Sequence, residues 1–397
     1  MTASPSTSST ASERSRLPSL TGARFLAACM VLVCHVGVSL IPRLGNTRAA
    51  DYQRYFDAAG NVGVSFFFVL SGFILTWVSR PDAPPGRFWR RRLVKIFPNH
   101  LVTLAAALLL MLSASVAITA VNTVPTVFLV QSWIPDQEAV INYGANAPSW
   151  SLACELLFYL SFPLLLRLTR GIRPQHLWRW VVGVAVVIAL VPLLARLLPG
   201  QPRMPLTNEP WWEVWFTYYF PVTRMLEFVL GVLMALIVLY RRRIPLGRGP
   251  ALLLAAGAFV GGSHLPGMYD RVAATALPIA LLIAALAKAD ALDRGRVLGS
   301  RPMVRLGEIS FSLYLVHYLV VCYGPIGAVH PENWAKQVSV PEALGYGILT
   351  LVISLVLAWL LYTFVEAPAM RRFSRRAPGK VPPRLEEPAT ERPAPTI

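Results

Sequence analysis

The chain has 397 residues, of which 55% are hydrophobic and only 14% charged, and its mean hydropathy is +0.52. A water-soluble chain of this size carries roughly a quarter charged residues; too few remain here to coat such a surface, so lipid is the expected solvent. The net charge of +17 would suit nucleic acid only if the basic residues formed one patch on a folded domain; they lie between apolar runs instead, so no nucleic-acid partner is expected.

Residues 1–16, rich in Ser and Thr, read as a disordered tail and not as a signal peptide, because no basic start precedes an early apolar core. Ten apolar segments follow, at roughly 21–41, 61–79, 100–120, 149–168, 178–198, 218–240, 250–264, 271–288, 306–328 and 343–365. Most approach the ~20 residues that cross ~30 Å of hydrocarbon at 1.5 Å per residue. The segment at 250–264 is the shortest and ends in Gly261, Gly262 and Ser263, as a tilted or re-entrant helix would. Residues 373–397, rich in Pro, Arg and Glu, read as a second tail.

The loops test this count. With an inside N-terminus, the inside segments hold 29 of the 37 Lys and Arg residues, the bias that the positive-inside rule demands. The expected fold is therefore all-α: a polytopic bundle of about ten transmembrane helices over 17–372, in the cell membrane, with both termini cytoplasmic. No internal repeat or nucleotide-binding motif is visible, so the bundle itself must carry the function. Cys29, Cys34, Cys154 and Cys322 all lie in apolar runs without metal-ligand spacing, and no metal is expected.

A polar or ionisable side chain inside the bilayer is costly and points to function. In RFLAACMVLVCH, Arg24 and His35 are 11 residues apart, within 20° of three full turns, so both leave one face of the first helix, ~16 Å apart along its axis. An anionic ligand held at Arg24 can send a long arm towards His35, where a neutral imidazole can take a proton from an attacking hydroxyl. The plainer reading makes Arg24 a positive-inside anchor and His35 an interhelical hydrogen-bonding group. The second inside loop, GRFWRRRLVKIFPNH, packs Arg87, Arg90, Arg91, Arg92 and Lys95 before Pro98; this suits membrane anchoring, and equally a polyanion such as the phosphates of CoA.

Glu155, in PSWSLACELLFYLSFPLLL, sits about two turns inside the outer face and needs a partner, for which His35 and Arg224 are candidates. Arg224 and Glu227, in TRMLEFVLG, are neighbours on one helix face and read most simply as an ion pair. His317, in ISFSLYLVHYLV, contacts substrate or caps a polar network. With Tyr314 of the same segment and Trp150 of the fourth, Arg224 and His317 make up the candidate substrate contacts. His100, at a helix entrance, and His176, His264 and His330, in loops or turns, are open to water and carry no role. The loop 121–148 lies on the membrane surface or covers an outer opening, and Trp211, Trp212 and Trp215 read as interfacial anchors.

These motifs occur in a recognisable order. The Arg24–His35 spacing, GNVGVSFFFVLSGFIL at 60–75, RRLVKIFP from Arg91 to Pro98, SWSLACELLFYLSFPLL, RMLEFVLG, ISFSLYLVHY and FVEAP at 364–368 together resemble the membrane-bound acyltransferase-3 family, from about Leu17 to Arg372. The family's Arg-x-x-Arg reads Arg92-x-x-Lys95 here, unless Arg87-x-x-Arg90 takes that role; lysine keeps the charge but loses the bidentate fork.

The resemblance implies transfer of an acetyl or other short acyl group from cytoplasmic acyl-CoA, as co-substrate, to a hydroxyl, usually on a sugar. Carried onto matching positions, His35 would be the catalytic residue, while Arg24, Arg91, Arg92 and Lys95 would bind or gate the CoA; Glu155 would orient or tune the histidine. Some members acylate cell-surface polysaccharide or peptidoglycan, and others macrolide-type antibiotics; the wording PSWSLACE is similar to the second branch. The expected partners are membrane lipid, acyl-CoA and a hydroxyl-bearing acceptor. A secondary transporter or flippase for a glycolipid or antibiotic is the alternative from another class.

Overall fold

A computed structural model describes residues 17–45, 49–79, 84–141, 145–205, 207–292 and 297–373. The two expected tails fall outside these residues, except for Phe373, which closes the last helix. Among the described residues the architecture is all-α, and the only β-type pairing is one isolated bridge between Arg203 and Pro210.

Eleven of the described helices build the bundle: α1 Pro18–Leu40, α2 Ala49–Val78, α3 Pro85–Ser113, α4 Trp150–Arg170, α5 Leu177–Ala195, α6 Pro221–Leu239, α7 Arg248–Gly262, α8 Ala276–Ala291, α9 Arg301–Glu308, α10 Ser310–Tyr323 and α11 Val340–Leu361. Every one of the ten apolar segments is helical. Seven of the described helices are long and apolar enough to cross a membrane, or eight if α9 and α10, bent by 61°, form one broken span. The shortfall from ten lies in α7 and α8, with 15 and 16 residues, which reach only ~22–24 Å.

Local chemistry sets the helix limits. Pro18 and Pro85 open α1 and α3 at positions where the missing amide costs nothing. Ser339 and Glu342 form a reciprocal capping box at the start of α11. The basic stretch expected as a loop is instead the first turns of α3, which runs unbroken through Pro98. Inside a bundle, neighbouring groups can satisfy the carbonyl that a proline leaves free.

The centre of the bundle is α2, packed against α1 and α6. Gly72 and Gly231 make the α2–α6 crossing tight, since a methyl on either would overlap a backbone carbonyl of the facing helix, that of Phe228 or Val69.

The segment between α3 and α4 packs one side against the bundle, burying Asn122, Thr126, Leu129 and Ser132, while Val124, Phe128 and Trp133 stay exposed. His100 Nε2 donates to the Thr126 carbonyl (2.8 Å), and Asn146 Nδ2 donates to the Leu315 carbonyl on α10 (2.9 Å). His100 is therefore fully buried and not open to water, because this segment covers it. The tryptophans expected as interfacial anchors pin the same segment: Trp211 and Trp215 donate from Nε1 to the carbonyls of Pro135 (2.8 Å) and Ser132 (3.0 Å).

Candidate active site

A cavity with about 800 Å³ of empty space, counting the part open to solvent, lies between α1, α2, α3, α4 and α10, and its walls include Arg24, Arg92, Lys95, Glu155, Tyr159 and Tyr314. Three cations thus share this space with one carboxylate, and the rest of the wall combines apolar residues, among them Leu70, Ile74 and Ile96, with the hydroxyl-bearing Ser71 and Ser151. Five of the ten expected site residues line this space, Arg24, Arg92, Lys95, Glu155 and Tyr314, and they come from four helices.

Arg92 and Lys95 come from α3, three residues apart, so both point to one side of it. Arg92 lies over the rings of Phe88 and Tyr159, at 5.6 and 5.8 Å, and Lys95 lies 5.9 Å from the Phe311 ring centroid. Such stacking holds a long cationic side chain in place without neutralising it. Arg87, Arg90 and Arg91 are exposed and do not line the cavity. The Arg92-x-x-Lys95 pair, not Arg87-x-x-Arg90, therefore faces the inside, and Arg91 stands apart from the site.

Glu155 accepts a hydrogen bond from Tyr159 Oη, one turn further along α4 (3.0 Å), and that hydroxyl is 3.4 Å from Ser71 Oγ on α2. Its electrostatic neighbours are Lys95, Arg24 and Arg92. Neither partner expected for it, His35 or Arg224, fills that place.

Behind Lys95 lies a network that inspection of single residues misses. Glu366 Oε2 accepts from Asn99 Nδ2 (2.9 Å) and from Ser312 Oγ (2.8 Å), tying α3 and α10 to the turn after α11. Asn99 follows Lys95 by four residues and so shares its helix face, and the Glu366 charge acts on Lys95. The available signal was Glu366 itself, a lone acid ending an apolar run in FVEAP.

Tyr314 closes the far side of the cavity. Its Oη lies 2.7 Å from Ser151 Oγ, and both hydroxyls reach the Pro148 carbonyl at 3.0 Å. Beyond the Tyr314 ring stands His317, with ring centroids 5.8 Å apart, and beyond His317 stands His35, with centroids 5.1 Å apart. His35 Nδ1 is 3.0 Å from the Val31 carbonyl and 3.0 Å from His317 Nε2. Arg24 lines the cavity and His35 does not: the single space expected to join them is interrupted by Tyr314 and by Phe67, whose rings meet at 5.8 Å.

The other expected substrate contacts are occupied elsewhere. Arg224 lies 3.1 Å from Glu227, both almost wholly buried, and its guanidinium sits over Phe68 (4.9 Å), Tyr218 (4.9 Å) and Trp150 (5.9 Å). Neither Arg224 nor Trp150 lines the cavity, because each is spent on the other. His317 is also fully buried, with its second nitrogen, Nδ1, 3.2 Å from the Leu313 carbonyl.

The described chain is thus an all-helical apolar bundle with a cation-lined cavity. The sequence model of the acyltransferase-3 family, an acyltransferase domain, matches residues 17–359, and the chain belongs to that family. It is similar to acyltransferase MdmB of Streptomyces mycarofaciens, with 39% identity over 95% of this chain and 96% of that protein. It is also similar to the putative peptidoglycan O-acetyltransferase YrhL of Bacillus subtilis (24% identity; 91% of this chain, 56% of that protein). A third relative is the O-acetyltransferase OatA of Staphylococcus aureus strain NCTC 8325 / PS 47 (22%; 90% and 57%). The chain thus spans nearly all of the first relative and a little over half of the other two. No solved structure matches the chain significantly. All three relatives bear acyl- or acetyltransferase names; this protein is a multi-pass membrane acyltransferase.

Proposed function

We propose that the enzyme moves an acetyl or other short acyl group from acyl-CoA to a hydroxyl of a sugar-containing acceptor, either a cell-surface glycan or a macrolide-type metabolite. The observation that carries this reading is the convergence of Arg24, Arg92 and Lys95 on one largely apolar cavity. The cations match the donor's phosphates, and the apolar walls match its pantetheine arm and acyl group. The surplus of Lys and Arg in the inside segments supports a cytoplasmic side for both termini and for the donor.

His35 is the general base. It takes the acceptor's proton as the hydroxyl oxygen attacks the thioester carbonyl; the new C–O bond forms, the C–S bond breaks, and the thiolate leaves and regains a proton from the imidazolium. To meet His35 from the cavity, the acyl end must pass Tyr314 and Phe67. Glu155 offsets part of the cationic charge and holds Tyr159, so that the empty cavity keeps its shape.

The test is CoA release from labelled acetyl-CoA by the purified full-length protein in nanodiscs, alongside His35→Ala. Donor binding that persists while turnover falls by ~10³-fold or more is the expected result. Undiminished turnover in His35→Ala overturns the assignment of the base.

A further inference from the structure

The hydrogen bonds around the two histidines admit one arrangement of protons. The Val31 carbonyl, 3.0 Å from His35 Nδ1, can only accept, so that nitrogen carries hydrogen. The Leu313 carbonyl, 3.2 Å from His317 Nδ1, can only accept as well, so His317 also carries its hydrogen on Nδ1. A neutral His317 then has a lone pair on Nε2, and this atom lies 3.0 Å from His35 Nδ1. The Nδ1–H of His35 is shared between a carbonyl of its own helix and a nitrogen of α10, and Nε2 of His35 remains as its basic atom.

We propose that His317 is a positioning residue for the transfer reaction, an inference that rests on His35 being the base. Its Nε2 does for His35 what a carboxylate does for the histidine of a serine-hydrolase triad: it accepts the Nδ1–H, fixes the ring plane and steadies the imidazolium formed when Nε2 takes the hydroxyl proton. Two further contacts suit this role. The Tyr318 ring meets His35 edge-on at 5.0 Å between centroids, which restrains the imidazole from the side. The Leu313 bond holds His317 in turn, so the orienting residue is itself oriented. As a neutral acceptor, His317 also avoids placing a second carboxylate in the apolar wall between α1 and α10, where an unpaired charge would be expensive.

The test compares His317→Phe, which keeps a ring but removes the acceptor, with His317→Gln, whose side-chain oxygen can accept in place of Nε2. Turnover of acetyl-CoA with octyl glucoside as acceptor is measured in nanodiscs, with acetyl-CoA binding as the check on folding. His317→Phe should lose ~100-fold in kcat with KM for acetyl-CoA unchanged within about twofold, and His317→Gln should recover to within about tenfold of the wild type. In protein labelled with ¹⁵N-histidine, a coupling across the N–H···N bond should join His35 Nδ1 to His317 Nε2, and should vanish in either variant. Wild-type kcat in His317→Phe, equal losses in both variants, or no such coupling in the wild type overturns the proposal. If His35→Ala retains turnover, the base assignment fails first; the coupling then reports a packing contact, and His317 loses its catalytic purpose.

Discussion

Two clusters of charge lie inside this bundle, and Phe68 stands between them, lining the cavity and carrying Arg224 over its face, 4.9 Å from the ring centroid. The Arg224–Glu227 cluster is balanced, one cation to one carboxylate, and sealed by Phe68, Tyr218 and Trp150. The cavity cluster sets Arg24, Arg92 and Lys95 against Glu155 in the wall and Glu366 behind Lys95, three cations to two carboxylates, and opens onto empty space. A buried pair that neutralises itself is complete without a ligand, whereas an unbalanced one gains by taking up an anion. The same residue types thus divide by stoichiometry and access into a structural joint and a candidate binding site.

The largest effect should come from breaking the sealed pair. Glu227→Ala strands the Arg224 guanidinium in an apolar setting and should cost about 3–5 kcal/mol, enough to remove most folded protein in fluorescence-detected size-exclusion chromatography. The double variant Arg224→Met/Glu227→Leu removes both charges and should restore the folded peak. If Glu227→Ala is as stable as the double variant, the pair is not the joint described here.

The cavity should respond in the opposite way. Arg24→Gln, Arg92→Gln and Lys95→Gln each leave a folded protein whose melting temperature is unchanged within a few degrees. KM for acetyl-CoA should rise ~10–100-fold, the loss of one charge-assisted contact to phosphate. Arg91→Gln, altering an exposed cation of the same helix, should change KM by less than about twofold. Equal sensitivity at Arg91 and Arg92 would mean that facing the cavity is irrelevant to donor binding.

Much of this division was legible in the chain, though unevenly. The helices were readable because long apolar runs need no tertiary partner to be recognised, and all ten runs became helices. Whether a run crosses the bilayer depends on length, which α7 and α8 lack. Arg24, Arg92, Lys95, Glu155 and Tyr314 were singled out because ionisable and aromatic groups stand out against apolar surroundings. Tyr159, one turn after Glu155 on α4, was readable from helix spacing alone; Ser312 and Asn99 as partners of Glu366 were not, because they depend on how α3, α10 and the turn after α11 meet. Single-helix geometry put Arg24 and His35 on one face, yet it could not show that Phe67 and Tyr314, from α2 and α10, stand between them. The burial of His100 was equally hidden, because Thr126 covers it only once its segment packs against the bundle.

Glu366 tests the support behind the cavity. Glu366→Gln keeps an oxygen to accept from Asn99 and Ser312 and removes only the charge. KM for acetyl-CoA should shift about threefold with little change in melting temperature, whereas Glu366→Leu, which orphans two buried donors, should cost about 2 kcal/mol or more. Identical behaviour of the two variants would make Glu366 a packing residue.

The smallest effect is expected where the stoichiometry inverts. In the turn after α7, Arg271 pairs with Glu209 and lies 3.7 Å from Asp270. Burial pushes the Asp270 carboxyl up to about 6, with Arg271 opposing the shift and Glu209 and Asp57 adding to it. A carboxyl whose folded value lies above its unfolded value of 3.8 favours the fold while protonated; that contribution is complete below the unfolded value and disappears as pH rises through about 6. Because Asp270 remains 28% exposed, the component should amount to about 1 kcal/mol. Melting curves of the wild type should therefore show a fall in stability between about pH 4 and pH 6 that Asp270→Asn lacks, the variant matching or exceeding the wild type at pH 7. A steeper fall in the variant would mean that Arg271, and not burial, governs this carboxyl. The outer cluster would then resemble the balanced Arg224 joint more than the unbalanced cavity.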